Sequence, residues 1–425
     1  MLLKRPILCD IIKQNKEETD SVMEKTLKKR KLMLTLGVFT MLFAGVIYSW
    51  SILKAPLAGE VKIAGSSLAL SYTLTMCFFC LGGLLGSFLT RRIGTRISII
   101  SAGLVAGVGF ILTGLVVKND VTLYLSYSLM GGGGIGIIYN IIISSVNAWF
   151  PDKKGLCSGC LMMGFGASTL VLGNLCNMLF DLDSIGWRMT YVMLGVALGV
   201  ALTIGGLFIR RPGETDILPE AKRVKGVSED FESKDYTPRQ MLTRSSFIRA
   251  FILLVCLTAV GSSVISFARD LAMSVGADGS LAATLVGVLS VCNGLGRIIT
   301  GRCFDIYGRK KTMLLANLIT LIASATILLS VYLTSLPIAI IGLCLTGLSY
   351  GSSPTVSSAF TSAFYGTKHF ATNFSIMNCN LIFASFVATA CSWLMSGGGG
   401  FALPFIFLVG LSVVSLIINL SIKKP

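Results

Sequence analysis

Apolar residues come along this chain in blocks rather than in stripes. Twelve runs, at 32–53, 65–89, 97–117, 122–147, 156–180, 189–209, 247–268, 280–300, 312–334, 336–362, 372–396 and 401–422, are separated by polar breaks. A strand would alternate polar and apolar residues, and a surface helix would repeat about every 3.6; neither pattern is sustained. A run of about 20 apolar residues crosses the hydrocarbon of a bilayer as a helix rising about 1.5 Å per residue. In hydrocarbon every backbone N–H and C=O must bond within its own segment, so each run is expected to be a helix. The pattern predicts an all-α integral membrane protein of twelve transmembrane helices.

The polar breaks supply orientation and a division. With the N-terminus inside, 30 of the 36 Lys and Arg fall in inside segments; Lys54, Lys62, Lys118, Arg188 and Arg269 fall outside, and Arg297 lies within a run. That bias predicts a multi-pass protein of the plasma (bacterial inner) membrane with both termini cytoplasmic. Residues 1–31 read as an N-terminal tail without a cleavable leader, 32–209 as one six-helix domain, 210–245 as a polar cytoplasmic linker, 246–422 as a second six-helix domain, and 423–425 as the C-terminus. The halves resemble repeats. Arg92-Ile93-Gly94-Thr95-Arg96 corresponds to Tyr307-Gly308-Arg309-Lys310, and Pro151-Asp152-Lys153-Lys154 to Gly366-Thr367-Lys368, offset by about 214–215 positions. Parallel six-helix repeats are an architecture of transporters, with the substrate site at the midplane between them.

Composition changes the picture little. Hydrophobic residues make up 53% and charged residues 13%, against about 25% charged in soluble domains. The net charge of +16 would suggest nucleic acid in a soluble protein. Here it is a topology signal, with anionic lipid headgroups as partners and no nucleic acid. Cys157 and Cys160 form a lone Cys-x-x-Cys pair without clustered His, so no metal or cofactor is expected. An enzyme would need a catalytic constellation in the spans or a soluble output domain, and the sequence offers neither.

The candidate chemistry is polar residues in apolar helices. Arg297 lies about four residues inside the end of helix eight, in Asn293-Gly294-Leu295-Gly296-Arg297. A guanidinium within a membrane helix costs at least about 2.5 kcal/mol, so it normally faces a wet cavity or a partner; the alternative is that it snorkels to the interface. None of the twenty Asp and Glu falls inside a run, so an anionic substrate is the partner this charge invites. The fork of Arg suits a planar carboxylate, and Asn293 shares its helix face. Tyr48 and Lys54 in helix one, Tyr139 and Asn140 in helix four, and Tyr350 in helix ten complete the candidate substrate-binding set. Each Tyr and Asn taken alone reads rather as interhelical hydrogen-bond glue, and Lys54 is equally open to a reading as an interfacial Lys. The Gly131–Gly134 run marks close helix packing, since no strand precedes it to make a phosphate loop.

Gly301-x-x-x-Asp305-x-x-Gly308-Arg309-Lys310 resembles the loop signature of the major facilitator superfamily. That resemblance implies two pseudo-symmetric six-helix halves working by alternating access, and a gating role for Gly301, Asp305, Gly308 and Arg309. In the family the Asp latches the outward-facing state; the N-terminal copy departs from the pattern, with Arg91 in place of Asp. Within the superfamily, Tyr48-Ser49-Trp50-Ser51, Lys54-Ala55-Pro56-Leu57, Trp149-Phe150-Pro151-Asp152-Lys153-Lys154-Gly155 and Asn293 to Arg297 resemble the oxalate/formate antiporter and monocarboxylate transporter group. This implies a small organic anion bound between the halves of a monomer, anchored by Arg297. Oxalate antiporters carry a second cation, a Lys, in helix eleven; the run 372–396 has no Lys or Arg, and the matching place falls near Asn380 or Leu381. A monocarboxylate is therefore expected, with a dicarboxylate such as oxalate, a drug or a sugar as alternatives.

Overall fold

Two glycines show the repeat most directly. Gly94 (φ 80°, ψ 166°) and Gly308 (φ 72°, ψ −178°) each interrupt a long continuous helical stretch, Gly65–Val116 and Gly279–Tyr332. Side chains avoid this backbone region and glycine does not, so each glycine turns one long apolar stretch into two antiparallel crossings. The computed structural model describes residues 5–180, 182–213, 216–219, 234–395 and 400–423. Among the described residues ten helices are long and apolar enough to cross a membrane, and the two glycine breaks make these twelve crossings. We number them α1 (Arg5–Ala44, continued irregularly to Gly59), α2 (65–93), α3 (95–116), α4 (Asp120–Asn147), α5 (Lys154–Phe180), α6 (Gly186–Phe208), α7 (Ser245–Ser274), α8 (279–307), α9 (309–332), α10 (Leu336–Tyr365), α11 (Phe370–Leu394, stepped at Cys379) and α12 (Ala402–Ser421). They form two six-helix halves, α1–α6 and α7–α12.

Three elements differ from the hydropathy reading. Helix α1 begins at Arg5, far ahead of the apolar run, because nothing in the polar stretch breaks a helix. It then tightens into a 3₁₀ turn at Gly45–Ser49, where an added Cβ on Gly45 would strike the Phe165 carbonyl of α5. Helix α4 is π-helical over Tyr124–Gly132 and α-helical from Gly133; along it Gly132 and Gly136 press on the α2 backbone at Thr75 and Phe79, and Gly134 on α3 at Ala102. The linker is partly built into the protein. Tyr236 is buried and its N–H donates to the Tyr365 carbonyl at 3.0 Å. Thr237 and Gln240 form a capping box for the short helix Pro238–Leu242. Near the start of the linker, Lys29 bonds Asp216 at 2.7 Å; that bond and the Gly213 amide hold the Asp216 carboxyl below its usual range. Tail residues 1–4, linker residues 214–215 and 220–233, and the last two residues lie outside the described residues.

The outer surface carries exposed Leu, Val, Ile and Phe, among them Leu81, Leu115, Val121, Phe208, Phe386 and Leu420, as a lipid-facing wall requires. Between helices the polar residues are small and paired. Ser71, Thr75 and Ser128, for example, form a buried hydroxyl cluster between α2 and α4 at 3.0–3.1 Å.

Candidate functional site

The halves meet along two seams at the end of the bundle that carries the termini and the linker, here the basic end. In the α5–α8 seam, Gly155 and Gly301 sit against one another's backbones, a closeness only small residues allow. Beside them the Asp305 carboxylate accepts the Gly155 and Leu156 amides at 2.8 and 2.7 Å. These are the first, otherwise orphaned, donors of α5, so a carboxylate from one half caps a helix of the other. Gly308 makes the following turn and Arg309 lies over the Phe364 ring, 4.6 Å from its centroid. In the α2–α11 seam, the Arg91 guanidinium donates to Thr372 Oγ1 at 2.7 Å and Ser375 Oγ donates to the Gly83 carbonyl at 2.8 Å.

Arg297 lies deeper, and it does not snorkel. It is 2% exposed; its Nε donates to Asn293 Oδ1 at 3.3 Å and its Nη1 to the Met162 carbonyl of α5. Among the described residues no carboxylate bonds to it. Tyr48, Tyr139 and Tyr350 all lie within electrostatic reach of the guanidinium. Tyr350 and Tyr48, from opposite halves, lie within electrostatic reach of each other; Tyr350 rests on Gly261 of α7, and Tyr139 shares a crevice with Asn378 of α11. Phe165 stands edge-on to Tyr48 and Tyr139, with centroids 5.0 Å away in both cases. The result is an aromatic cluster, with residues from both halves, around one guanidinium.

Two candidates stand apart. Asn140 is buried and its amide nitrogen bridges the Gly83 and Ala371 carbonyls, both at 2.9 Å, so its donors hold α4 to α2 and α11 while Oδ1 has no partner. It lines a crevice of about 10 Å³ with Tyr139, Ser375 and Asn378, room for about one water. Lys54 is exposed, within α1's irregular turns between Trp50–Leu53 and Ala55–Gly59. The sequence reading missed Met162, Phe165 and Gly166 of α5. An apolar Met and Phe carry no polar signal, and only the Gly164-Phe165-Gly166 spacing hinted at a close approach.

Towards the opposite end the described hydrogen bonds of the upper helices stay within a half. Trp187 donates to Glu60 at 2.6 Å, Tyr191 to the Leu53 carbonyl at 2.7 Å and Arg188 to the Gly114 carbonyl at 3.0 Å. The bundle is closed at the basic end and joined there across both seams.

Comparison with known proteins decides the family. The model of the Major Facilitator Superfamily matches residues 33–274 and again 250–425, covering both halves. The chain belongs to the Major Facilitator Superfamily. An uncharacterized transporter of the superfamily, YhjX of Escherichia coli (strain K12), is 25% identical over 351 residues, 82% of this chain and 84% of the relative. The oxalate:formate antiporter of Oxalobacter formigenes is 26% identical over 68% of this chain and 66% of its own length. Monocarboxylate transporter 12 of Mus musculus is 26% identical over 56% of this chain and 53% of its length. Among solved superfamily structures, the proton:xylose symporter XylE bound to 6-bromo-6-deoxy-D-glucose aligns with a TM-score of 0.71 at 14% identity, covering 95% of this chain and 97% of that one. FucP in the outward conformation aligns at 0.66 with 13% identity, covering 93% and 100%. At such identities the likeness speaks for the fold alone. The Major Facilitator chain is thus a multi-pass membrane transporter, not an enzyme, and it has antiporter and monocarboxylate relatives.

Proposed function

We propose that this transporter carries a small organic monocarboxylate by alternating access, with Arg297 holding the carboxylate between the halves. The observation that carries the reading is a buried guanidinium with free donors and no carboxylate bonded to it. A guanidinium presents five N–H donors. Asn293 and Met162 engage Nε and one N–H of Nη1, which leaves the outer fork for a planar, bidentate anion. Tyr48, Tyr139 and Tyr350 supply hydroxyls and apolar ring faces around it. The relatives that transport formate, oxalate or monocarboxylates support the same substrate class.

A single charge argues for a single carboxylate. Helix α11 has no Lys or Arg, and Asn380 is occupied within its own half: it accepts from Thr258 at 3.1 Å and donates to the Met377 carbonyl at 2.6 Å. Because none of the twelve apolar runs holds a carboxylate to carry a proton, exchange or uniport is the mechanism that fits, with the loaded carrier reorienting more readily than one whose guanidinium is bare. In this reading the basic end faces the cytoplasm of a plasma membrane, and Gly301, Asp305, Gly308 and Arg309 form the cytoplasmic gate.

The test is exchange of radiolabelled lactate, formate or acetate by purified protein in liposomes loaded with the same anion. Arg297→Lys keeps the charge and loses the fork. A charged hydrogen bond is worth about 1.5–3 kcal/mol, so the half-saturating concentration should rise about ten- to a hundredfold with the melting temperature unchanged. Wild-type exchange by the Lys or Gln variant would sink the reading.

A further inference from the structure

The anchor does not stand on its own helix alone. Arg297 belongs to α8 in the C-terminal half, yet its Nη1 donates to the Met162 carbonyl of α5 in the N-terminal half. Its guanidinium also lies against Gly166, one turn further along α5. A Cβ on Gly166 would come within 2.9 Å of Cζ, 2.9 Å of Nη1 and 3.2 Å of Nη2. Three such similar distances place that Cβ over the face of the guanidinium plane rather than at its edge. Gly166 therefore blocks no donor; it is the floor on which the plane lies. Thr355 of α10 closes the same seat, donating to the Arg297 carbonyl at 3.3 Å and lying 3.9 Å from Met162 Sδ.

We infer that Met162 and Gly166 of α5 are the positioning elements of the anion site: together they set the plane of Arg297, so that the anion is held at full strength only while α5 and α8 are in contact. This rests on the reading of Arg297 as the anchor and adds to it a link between binding and the gate. Asn293 fixes Nε from the same helix, which leaves the guanidinium one free rotation; the Met162 carbonyl and the bare Gly166 remove it from the other half. When the basic end opens, α5 must leave α8, the bond to Met162 must break, and the floor is withdrawn. Differential affinity between the two states follows, and by linkage an anion that needs the seat favours the state that has it.

The seat is separable from ordinary helix packing because Gly166 touches the side chain of Arg297, whereas Gly159 touches its backbone. The experiment uses the full chain with lactate as probe in liposomes, and phenylglyoxal modification of the Arg297 peptide, read by mass spectrometry, as a measurement independent of substrate. Gly166→Ala is expected to raise the half-saturating lactate concentration at least tenfold and to change the Arg297 modification rate severalfold. Gly294→Ala, whose Cβ would meet only Met163 Cγ at 3.5 Å, should match the wild type in both. In an Arg297→Lys background the clashing atoms are gone, so Gly166→Ala should add less than twofold. If Gly166→Ala alone does not fold but the double variant does, the clash is with the guanidinium and the inference stands; if neither folds, it lies elsewhere and the inference fails. Unchanged Arg297 modification in Gly166→Ala overturns it, as does a loss in maximal rate with the half-saturating concentration unchanged. Should the wild type exchange none of the three carboxylates, the substrate reading fails, and the modification rate alone decides the seat.

Discussion

The α5–α8 seam and the α2–α11 seam occupy matching places in the two halves, yet different chemistry closes them. The first has two glycines against each other's backbones and a carboxylate, Asp305, on the open amides of α5. The second puts Arg91 where the carboxylate would be, and a guanidinium cannot accept an amide. It bonds the Thr372 hydroxyl instead, in an exposed position. The acid on that side comes from the linker: Asp235 accepts the Thr367 and Lys368 amides at 2.9 and 3.0 Å, beside Gly366 at φ 78°. Asp235 thus ties the linker to the α10–α11 turn, and it does not cap a helix of the N-terminal half. At the loop the first seam has a cross-half cap, whereas the second has an exposed hydrogen bond beside a tethered linker and, deeper, the buried bond from Ser375 to the Gly83 carbonyl. The difference teaches that pseudo-symmetric helices need not share the work of closure equally.

Breaking the stronger seam should have the larger effect, and two native cysteines report on it. Cys157 in α5 is 1% exposed and Cys80 in α2 is 2% exposed, so alkylation of each measures opening of its own seam. Gly301→Val should act most, because the added side chain meets the Gly155 backbone, which cannot yield. Overpacking of about 1–3 kcal/mol predicts roughly tenfold or more faster labelling of Cys157 and a collapse of exchange. Unaltered Cys157 labelling would show that the seam is looser than the glycines imply.

Next comes Asp305→Asn, which keeps the shape and removes the charge. A cap is worth about 1 kcal/mol, so Cys157 labelling should rise about fivefold while Cys80 labelling changes less. Equal changes at both cysteines would mean that the halves open as one body with no local share, and the comparison drawn here would lose its point. Smallest is Arg91→Ala. An exposed hydrogen bond contributes about 0.5 kcal/mol, so Cys80 labelling should rise about twofold or less and exchange should stay near the wild-type rate. A larger loss than in Asp305→Asn would reverse the order of the two seams.

Much of this was legible in the residue order, and the reasons are specific. Runs of apolar residues become helices because hydrocarbon offers the backbone no other partner, so the twelve crossings follow from hydropathy alone. The asymmetry of Lys and Arg gives them an expected orientation, and the Gly94 and Gly308 loops mark the repeat because only glycine makes those turns readily. Arg297 stood out for a similar reason: a charge in a membrane helix is too costly to be incidental. Asp305 stood out through the resemblance of its loop to the family signature, though that did not name the amides it would meet.

Tertiary structure decided what surrounds these groups. Whether Arg297 snorkels or stays buried depends on a carbonyl and a bare Cα on a helix more than 100 positions away, and no local pattern encodes that distance. Asn140 and Lys54 carry the same polar signal as Tyr139 and Tyr350, yet packing gives Asn140's donors to two helix carbonyls and leaves Lys54 in the open. Sequence states which groups are too expensive to waste in a membrane. Only the packing of one half against the other states which of them face each other, because hydrogen bonds between helices depend on register and crossing, and neither is a property of any single run.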